Sequence, residues 1–204
     1  MIKTSAAALA RLLQGTPKTV LFGTAALIQF ALLILMVIDR VEILREGTEV
    51  TLQTRPVDPR DFLRGDYVVL NYDISRLPAG PLQNKPADTR NPIVFVKLAP
   101  NRDGLYEAIS VYADAVAVKS PEVLIRGRVT YGATCGPMGR VFCDKLQVRY
   151  NLESYFVPEG EGRKLEQVRN QRKLMVVAAV MPSGRAAIKR LLVDGGPVYD
   201  EPWF

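Results

Sequence analysis

The residues best suited to chemistry lie in one stretch, Asp61–Tyr72, which reads DFLRGDYVVLNY. Arg60, directly before the stretch, and Arg64, within it, offer forked donors for a carboxylate or a phosphate. Asp66 either bonds backbone amides in a turn or pairs with one of these arginines, and Gly65 permits the turn itself. We therefore predict a recognition surface, with a purely structural turn as the alternative. Its residues are Arg60, Asp61, Arg64, Gly65, Asp66 and Tyr67.

The composition excludes most catalytic and metal-binding arrangements. The chain contains no histidine, so a Ser-His-Asp triad and a histidine-ligated zinc site are both impossible. Two cysteines are too few for a four-cysteine metal site, and no acidic loop has EF-hand spacing. No glycine-rich phosphate-binding loop occurs. The net charge is +6, of which the first nineteen residues carry half, which is too weak to indicate nucleic-acid binding. We predict no cofactor, no metal and no nucleic-acid partner.

An apolar run near the N-terminus predicts the membrane location of the chain. Residues 20–38 carry no charge over nineteen positions, which suits a membrane-spanning helix of about 20 residues. Lys3, Arg11 and Lys18 precede the run without an acidic residue among them, and such cations mark the cytoplasmic flank. We predict a single span in the bacterial cytoplasmic (inner) membrane. Residues 1–19 would lie inside, residues 39–47 would form a linker, and residues 48–204 would be periplasmic or otherwise extracytoplasmic. A cleaved signal peptide is the alternative.

Strand signals dominate the segment after the apolar run. Short stretches rich in β-branched and aromatic residues, such as EVTLQT and VLIRGRVTY, alternate with Pro, Gly, Asn and Asp. A run of good helix formers follows a Pro-Glu-Gly break at residues 161–173. We therefore predict a mainly β, antiparallel domain with one short helix. Leu165 and Val168 should pack this helix inward. Alternatively, its basic residues meet anionic lipid headgroups or a cell-wall polymer; they are Arg163, Lys164, Arg169, Arg172 and Lys173.

Two parts of this domain resemble each other. Tyr72 aligns with Tyr150, 78 positions later, and a Pro-x-Gly follows each of them. Gly104 aligns with Gly184, 80 positions later, in a turn between two apolar runs. The pattern predicts an internal repeat of two β-rich halves, residues 48–120 and 121–204. A chance likeness between β-hairpins is the alternative.

Alternation in the opening stretch separates two faces of a predicted strand, because successive side chains point to opposite sides. Leu70, Tyr72 and Ile74 fall on the apolar face, and we predict that they form the structural core of the motif. Tyr67 and Asp73 fall on the other face. The phenol of Tyr72 would need a hydrogen-bond partner if it is buried.

Cys135 and Cys143 frame the sequence CGPMGRVFC, whose Gly-Pro-Met-Gly centre is typical of a hairpin loop. Disulfides persist outside the cytoplasm, so we predict a disulfide between these two residues. A redox pair is the alternative, although neither C-x-x-C spacing nor a helix start is evident.

The opening stretch also carries a family resemblance. Gly65, Asp66, Tyr67, Leu70 and Tyr72 fit the pattern Gly-Asp-Tyr-x-x-Leu-x-Tyr, and residues 149–166 are similar to a second block of the same family. The chain resembles the GDYXXLXY family of bacterial membrane-anchored proteins, whose activity is uncharacterised. The resemblance implies a membrane location and a shared fold. Because members often occur beside genes for multi-pass membrane proteins, it also implies such a partner.

These features predict a membrane-anchored envelope protein whose outer β domain binds or scaffolds a multi-pass membrane protein or another envelope component, without catalysis. The main alternative is a signal-peptidase-like hydrolase, because RGDYVVL and VFVKLAPNRDG resemble boxes of those enzymes, with Lys97 near the general-base position. Ser–Lys chemistry needs a hydroxyl nucleophile close to the lysine. No serine lies between the anchor and Gly65, and Thr54 is the nearest upstream hydroxyl. A glycosidase using Asp58 and Asp61 is a further alternative.

Overall fold

The computed structural model describes residues 17–56, 67–78, 82–83, 93–131, 145–157 and 162–200. Five of the six predicted recognition residues, those at 60–66, lie outside the described residues, and so do Cys135 and Cys143. The chain divides into two compact units, one ending at Val41 and the other beginning at Glu42.

The first unit contains most of helix α1, Lys18–Glu46. The helix starts directly after Pro17, a residue that is well tolerated at helix starts. It is long and apolar enough to be a candidate membrane span, and its side chains from Val20 to Ile38 are exposed. The helix also continues through residues 39–46, where we predicted a linker, because VEILRE contains good helix formers that extend it.

The second unit is mainly antiparallel β-sheet with one short helix, so the predicted fold class is confirmed. A single turn of 3₁₀-helix spans Asp73–Ser75, and helix α2 spans Gly162–Asn170. The strands are β1 (Thr48–Arg55), β2 (Tyr67–Val69), β3 (Asn71–Tyr72), β4 (Arg76–Pro78), β5 (Leu82–Gln83), β6 (Ile93–Pro100), β7 (Tyr106–Tyr112), β8 (Val123–Tyr131), β9 (Lys145–Arg149), β10 (Ser154–Phe156), β11 (Leu174–Val180), β12 (Ala186–Val193) and β13 (Gly196–Asp200).

Each of the two larger sheets takes strands from both predicted halves of the chain. One sheet has the order β13-β12-β11-β1-β3, and the other has the order β4-β9-β8-β6-β7-β5. The hairpin β11–β12 from the second half pairs with β1 from the first, and the hairpin β6–β7 from the first half pairs with β8 from the second. Strands β2 and β10 form a separate two-stranded sheet. Because both halves contribute to both sheets, neither half has a complete sheet of its own.

The two hairpins have the same irregularities at corresponding positions. A bulge lies between Lys97 and Leu98 in one hairpin and between Val177 and Ala178 in the other, 80 residues later. The turns that follow contain Gly104 and Gly184, at φ 78° and 82°. Only glycine adopts this backbone readily. The hairpins therefore share a register, a bulge and a turn.

The last turn of α1 packs within the second unit. Ile43 and Leu44 are buried against Ala179 and Ala187, on the hairpin β11–β12. The chain approaches β11 closely at Gly47, where an added Cβ atom would lie 2.9 Å from the Cβ atom of Ala179. Strand β11 is consequently buried on both faces, which explains its nearly continuous apolar sequence LMVVAAV.

The stretch predicted as one strand, Tyr67–Ile74, is interrupted in the structure. The amide of Leu70 donates to the carbonyl of Glu153 at 2.8 Å, and the chain then turns into the 3₁₀ segment after Tyr72. The alternation of buried side chains is nevertheless kept, since Val68, Leu70, Tyr72 and Ile74 are all buried.

Candidate functional site around the signature segment

The signature segment, defined here as Tyr67–Ile74, belongs to the main hydrophobic core. Leu70, Tyr72 and Ile74 are buried together with Tyr150 and Leu152 of the segment that follows β9. These two stretches are the ones that align in the sequence. The same sequence pattern therefore occurs twice in this part of the core.

The two tyrosines are linked by reciprocal hydrogen bonds. The phenol of Tyr72 donates to the carbonyl of Leu152 at 2.5 Å, and the phenol of Tyr150 donates to the carbonyl of Ile74 at 2.6 Å. Burial, with a smaller contribution from the Glu153 carboxylate, raises the pKa of both phenols well above its usual range. Both therefore remain neutral donors to buried carbonyls, which is a structural role.

Strand pairing around the tyrosines follows the same reciprocity. Leu77 of β4 lies opposite Leu146 of β9, and Val68 of β2 lies opposite Tyr155 of β10. At the offset of 78 residues that relates Tyr72 to Tyr150, Leu77 corresponds to Tyr155 and Val68 corresponds to Leu146. The two pairs are therefore counterparts of each other. The signature segment and residues 145–156 are therefore related by an approximate two-fold arrangement.

Arg169 of helix α2 is fully buried and binds the backbone of strand β2. Its Nη1 donates to the carbonyl of Val69 at 2.5 Å, and its guanidinium also reaches the side chain of Asn170. Burial lowers the pKa of Arg169 below its usual value, and the carboxylate of Glu166, 3.9 Å away, offsets only part of this effect. The prediction that Arg169 belongs to an exposed basic face is wrong, because this side chain lies in the interior.

A polar pocket of about 190 Å³ lies beside the signature segment, and we call it the signature pocket. Arg55 at its wall is paired with Asp73 through a guanidinium–carboxylate hydrogen bond. The Ser75 hydroxyl is buried and has no hydrogen-bond partner among the described residues. The lining residues are Arg55, Pro56, Asn71, Tyr72, Ser75, Arg76, Gln147 and Arg172. This pocket lies where the chain enters residues 57–66, the predicted recognition stretch.

A second pocket, of about 330 Å³, lies at the corresponding place beside Tyr150, and we call it the arginine pocket. Its wall carries Arg126, Arg128, Arg149 and Arg185. This pocket was not predicted from the sequence. The only signal was the arginine spacing in RGR, with side chains two residues apart on the same face of β8.

The residues of the hydrolase alternative are engaged elsewhere. Lys97 donates to both carboxylate oxygens of Glu122, at 3.0 and 3.2 Å. Thr54 is buried, and its hydroxyl donates to the carbonyl of Leu174 at 2.5 Å. Neither group is therefore arranged as a nucleophile or as its base. Asp58 and Asp61 lie outside the described residues. In the described part of the chain, no three acidic or cysteine side chains form a group that could hold a metal ion.

Tyr67 is the one predicted recognition residue within the described residues, and it begins strand β2. Its cross-strand partner is Phe156 of β10. The exposed fraction of Phe156 is 80%, the highest among the large hydrophobic residues that the structure describes. An exposed aromatic side chain thus lies directly across from the signature tyrosine.

Comparison with known proteins identifies one relationship. The model of the family described as GDYXXLXY protein matches residues 29–191, from within helix α1 to strand β12. No curated protein and no solved structure matches the chain. The matched range includes the signature segment, both tyrosines and both pockets. The chain therefore belongs to the GDYXXLXY family.

Proposed function

We propose that the protein is anchored in the cytoplasmic membrane by α1, with its N-terminus inside, and that its outer β domain binds or scaffolds an envelope partner. A multi-pass membrane protein is the partner class we favour. The anchoring is supported by the apolar helix and by the basic residues that precede it. A binding role agrees with the structural hydrogen bonds of Tyr72 and Tyr150, which hold both phenols in the core.

The observation that carries the binding proposal is Phe156. Aromatic side chains are enriched at the energetic centres of protein interfaces, and this one is exposed on the short ribbon β2–β10 beside Tyr67. The stretch 60–66, which precedes Tyr67 in the sequence, contains two arginines and two aspartates, and polar groups surround the aromatic centres of known interfaces. The ribbon and the predicted recognition residues of this stretch are the partner-binding residues of our proposal.

Topology is tested by reporter fusions at the C-terminus. An alkaline phosphatase fusion should be active, because the phosphatase requires an extracytoplasmic location. A fluorescent protein that matures only in the cytoplasm should stay dark at the same position. The opposite pair of results would reverse the proposed orientation.

Partner binding is tested by affinity purification of the full-length protein from solubilised membranes, followed by mass spectrometry. Phe156→Ala and Asp66→Asn should reduce the yield of a co-purifying membrane protein, with unchanged melting of the variants. Ile109→Ala is the matched control, since Ile109 is also exposed but lies on β7. Equal recovery of the same proteins with all three variants would contradict the assignment of this surface.

A further inference from the structure

We propose that the arginine pocket binds the phosphate group of an anionic phospholipid at the membrane surface. The inference rests on the membrane anchoring proposed above, and the fusion experiment tests that anchoring separately. The ligand chemistry is assigned from four observations: the charge differences at two pairs of corresponding positions, the absence of partners for three arginines among the described residues, the pocket's construction, and its position along the chain.

The charge difference follows from comparing corresponding positions. Arg55 pairs with Asn71 across β1 and β3, and Arg128 pairs with Arg149 across β8 and β9. Arg128 is therefore the counterpart of Arg55, and Arg149 is the counterpart of Asn71. The counterpart of Asp73, one residue after Tyr72, is Asn151, one residue after Tyr150.

These two differences change the charged groups that lie beside the arginine of each copy. In the signature pocket, Asp73 neutralises Arg55 within the protein. In the arginine pocket, Asn151 has no charge to offer Arg128, and Arg149 adds a cation where the first pocket has an amide. Arg55 thus has an ion-pair partner in its copy of the motif. Arg128 has none among the described residues, although Glu153, the counterpart of Ser75, lines the cleft beside it.

Three of these arginines have no counterion in the part of the chain that the structure describes. Among the described residues, the guanidinium groups of Arg126, Arg128 and Arg149 make no hydrogen bond or ion pair. Glu153, the acidic residue that lines the adjoining cleft, directs its Oε1 to the amide of Tyr150 at 2.6 Å. Like charges held close together are unfavourable unless an anion joins them. An external anion would therefore be stabilised here.

One wall of the pocket is fixed by a backbone hydrogen bond. Strand β8 is fixed to the turn between β11 and β12 by a hydrogen bond from the amide of Arg126 to the carbonyl of Gly184, at 2.8 Å. A volume of about 330 Å³ lies within the range of small-molecule sites. Guanidinium forks match the paired oxygens of a phosphate.

The position of the pocket along the chain selects a lipid over a dissolved anion. Ile43 lines the pocket, and it lies five residues after Ile38, the last residue of the uncharged run. Five residues reach at most about 18 Å even when fully extended. The covalent chain therefore limits the distance between Ile43 and the end of the proposed span, where phospholipid phosphates lie.

The test uses the full-length protein in a neutral detergent and measures binding by titration calorimetry. The probes are short-chain phosphatidylglycerol, short-chain phosphatidylcholine and inorganic phosphate. We expect phosphatidylglycerol to bind most tightly, and added salt to weaken its binding. Combining Arg126→Gln, Arg128→Gln and Arg149→Gln should reduce its affinity by at least about tenfold. The matched control combines Arg102→Gln, Lys119→Gln and Lys145→Gln, which removes the same charge outside the pocket.

A second variant tests the comparison between the two halves. Asn151→Asp restores the carboxylate that Asp73 supplies in the first half, and it should weaken phosphatidylglycerol binding by neutralising Arg128. Asn151→Gly removes the side chain without adding charge, and it should keep the affinity. Asn151 has φ 61°, which both substitutions tolerate. Melting of each variant establishes that it is folded.

Three results would overturn the proposal. Equal losses in the pocket variant and the surface control would indicate general charge attraction. Inorganic phosphate that binds as tightly as phosphatidylglycerol would indicate a site for a soluble anion. An Asn151→Asp protein that is folded and binds phosphatidylglycerol with unchanged affinity would contradict the role given to Asn151.

Discussion

Tyr72 and Tyr150 each donate a hydrogen bond to the backbone carbonyl two residues beyond the other: Tyr72 to Leu152, and Tyr150 to Ile74. The signature tyrosine of this family and its counterpart thus join the two halves of the β domain at one point of the core. The internal repeat stays a prediction. The shared register, bulges and turns of the hairpins support it independently of the tyrosines.

We expect Tyr72→Phe and Tyr150→Phe each to lower the free energy of unfolding by about 1–3 kcal/mol, because each leaves a buried carbonyl without its donor. Chemical denaturation of the full-length protein in neutral detergent measures the change. Tyr112→Phe is the control, since no hydrogen bond is made by the Tyr112 hydroxyl to any described residue. A stability equal to the parent in both variants would mean that the two phenols do not hold the halves together.

We expect stability to fall as the pH rises above the ordinary tyrosine pKa of about 10. The folded protein raises the pKa of both phenols, so the unfolded chain releases their protons first. The stabilising contribution is complete below the unfolded pKa and is lost as the pH approaches the folded one. The loss should be about 1.4 kcal/mol per pH unit for each tyrosine in that window. Denaturation curves of the parent and of the double Tyr→Phe protein, compared across this range, measure it. If the stability of the two proteins depends on pH in the same way, the two phenols are not the cause of the loss.

Arg169→Ala should destabilise the protein by at least about 2 kcal/mol, because it leaves the Val69 carbonyl unpaired and empties a buried site. Arg169→Lys should not restore full stability, since an ammonium lacks the planar fork. Lys173→Ala is the control: its ion pair with Asp194 is exposed on both sides and should contribute about 0–1 kcal/mol. Thermal melting ranks the three variants. An Arg169→Ala protein as stable as Lys173→Ala would show that the buried guanidinium is dispensable.

We expect Cys135 and Cys143 to form a disulfide when the β domain is exported. Thiol labelling of the denatured, unreduced protein should detect no free cysteine. Closing a loop of about nine residues should stabilise the fold by roughly 2–3 kcal/mol, so reduction should lower the melting temperature. Quantitative labelling of both thiols in protein taken from the envelope would remove the prediction.

The sequence by itself determined features that depend on neighbouring residues. Nineteen uncharged positions predict a candidate span, because length and hydropathy are local quantities. Strand periodicity predicted a mainly β domain, and the missing histidine excluded whole classes of chemistry. Strand β13 was not predicted, since GPVYD has little β-propensity and pairs with an existing hairpin.

The tertiary structure decided what depends on contacts between distant residues. A basic residue on a short amphipathic helix normally faces solvent, yet Arg169 is buried because the Val69 carbonyl, 100 residues away in sequence, accepts its hydrogen bond. Arg55 and Arg128 look alike in the chain, and only the sheet register shows that one has Asp73 beside it while the other has Asn151 nearby. Strand pairing joins residues far apart along the chain, and local patterns do not specify which strands will meet.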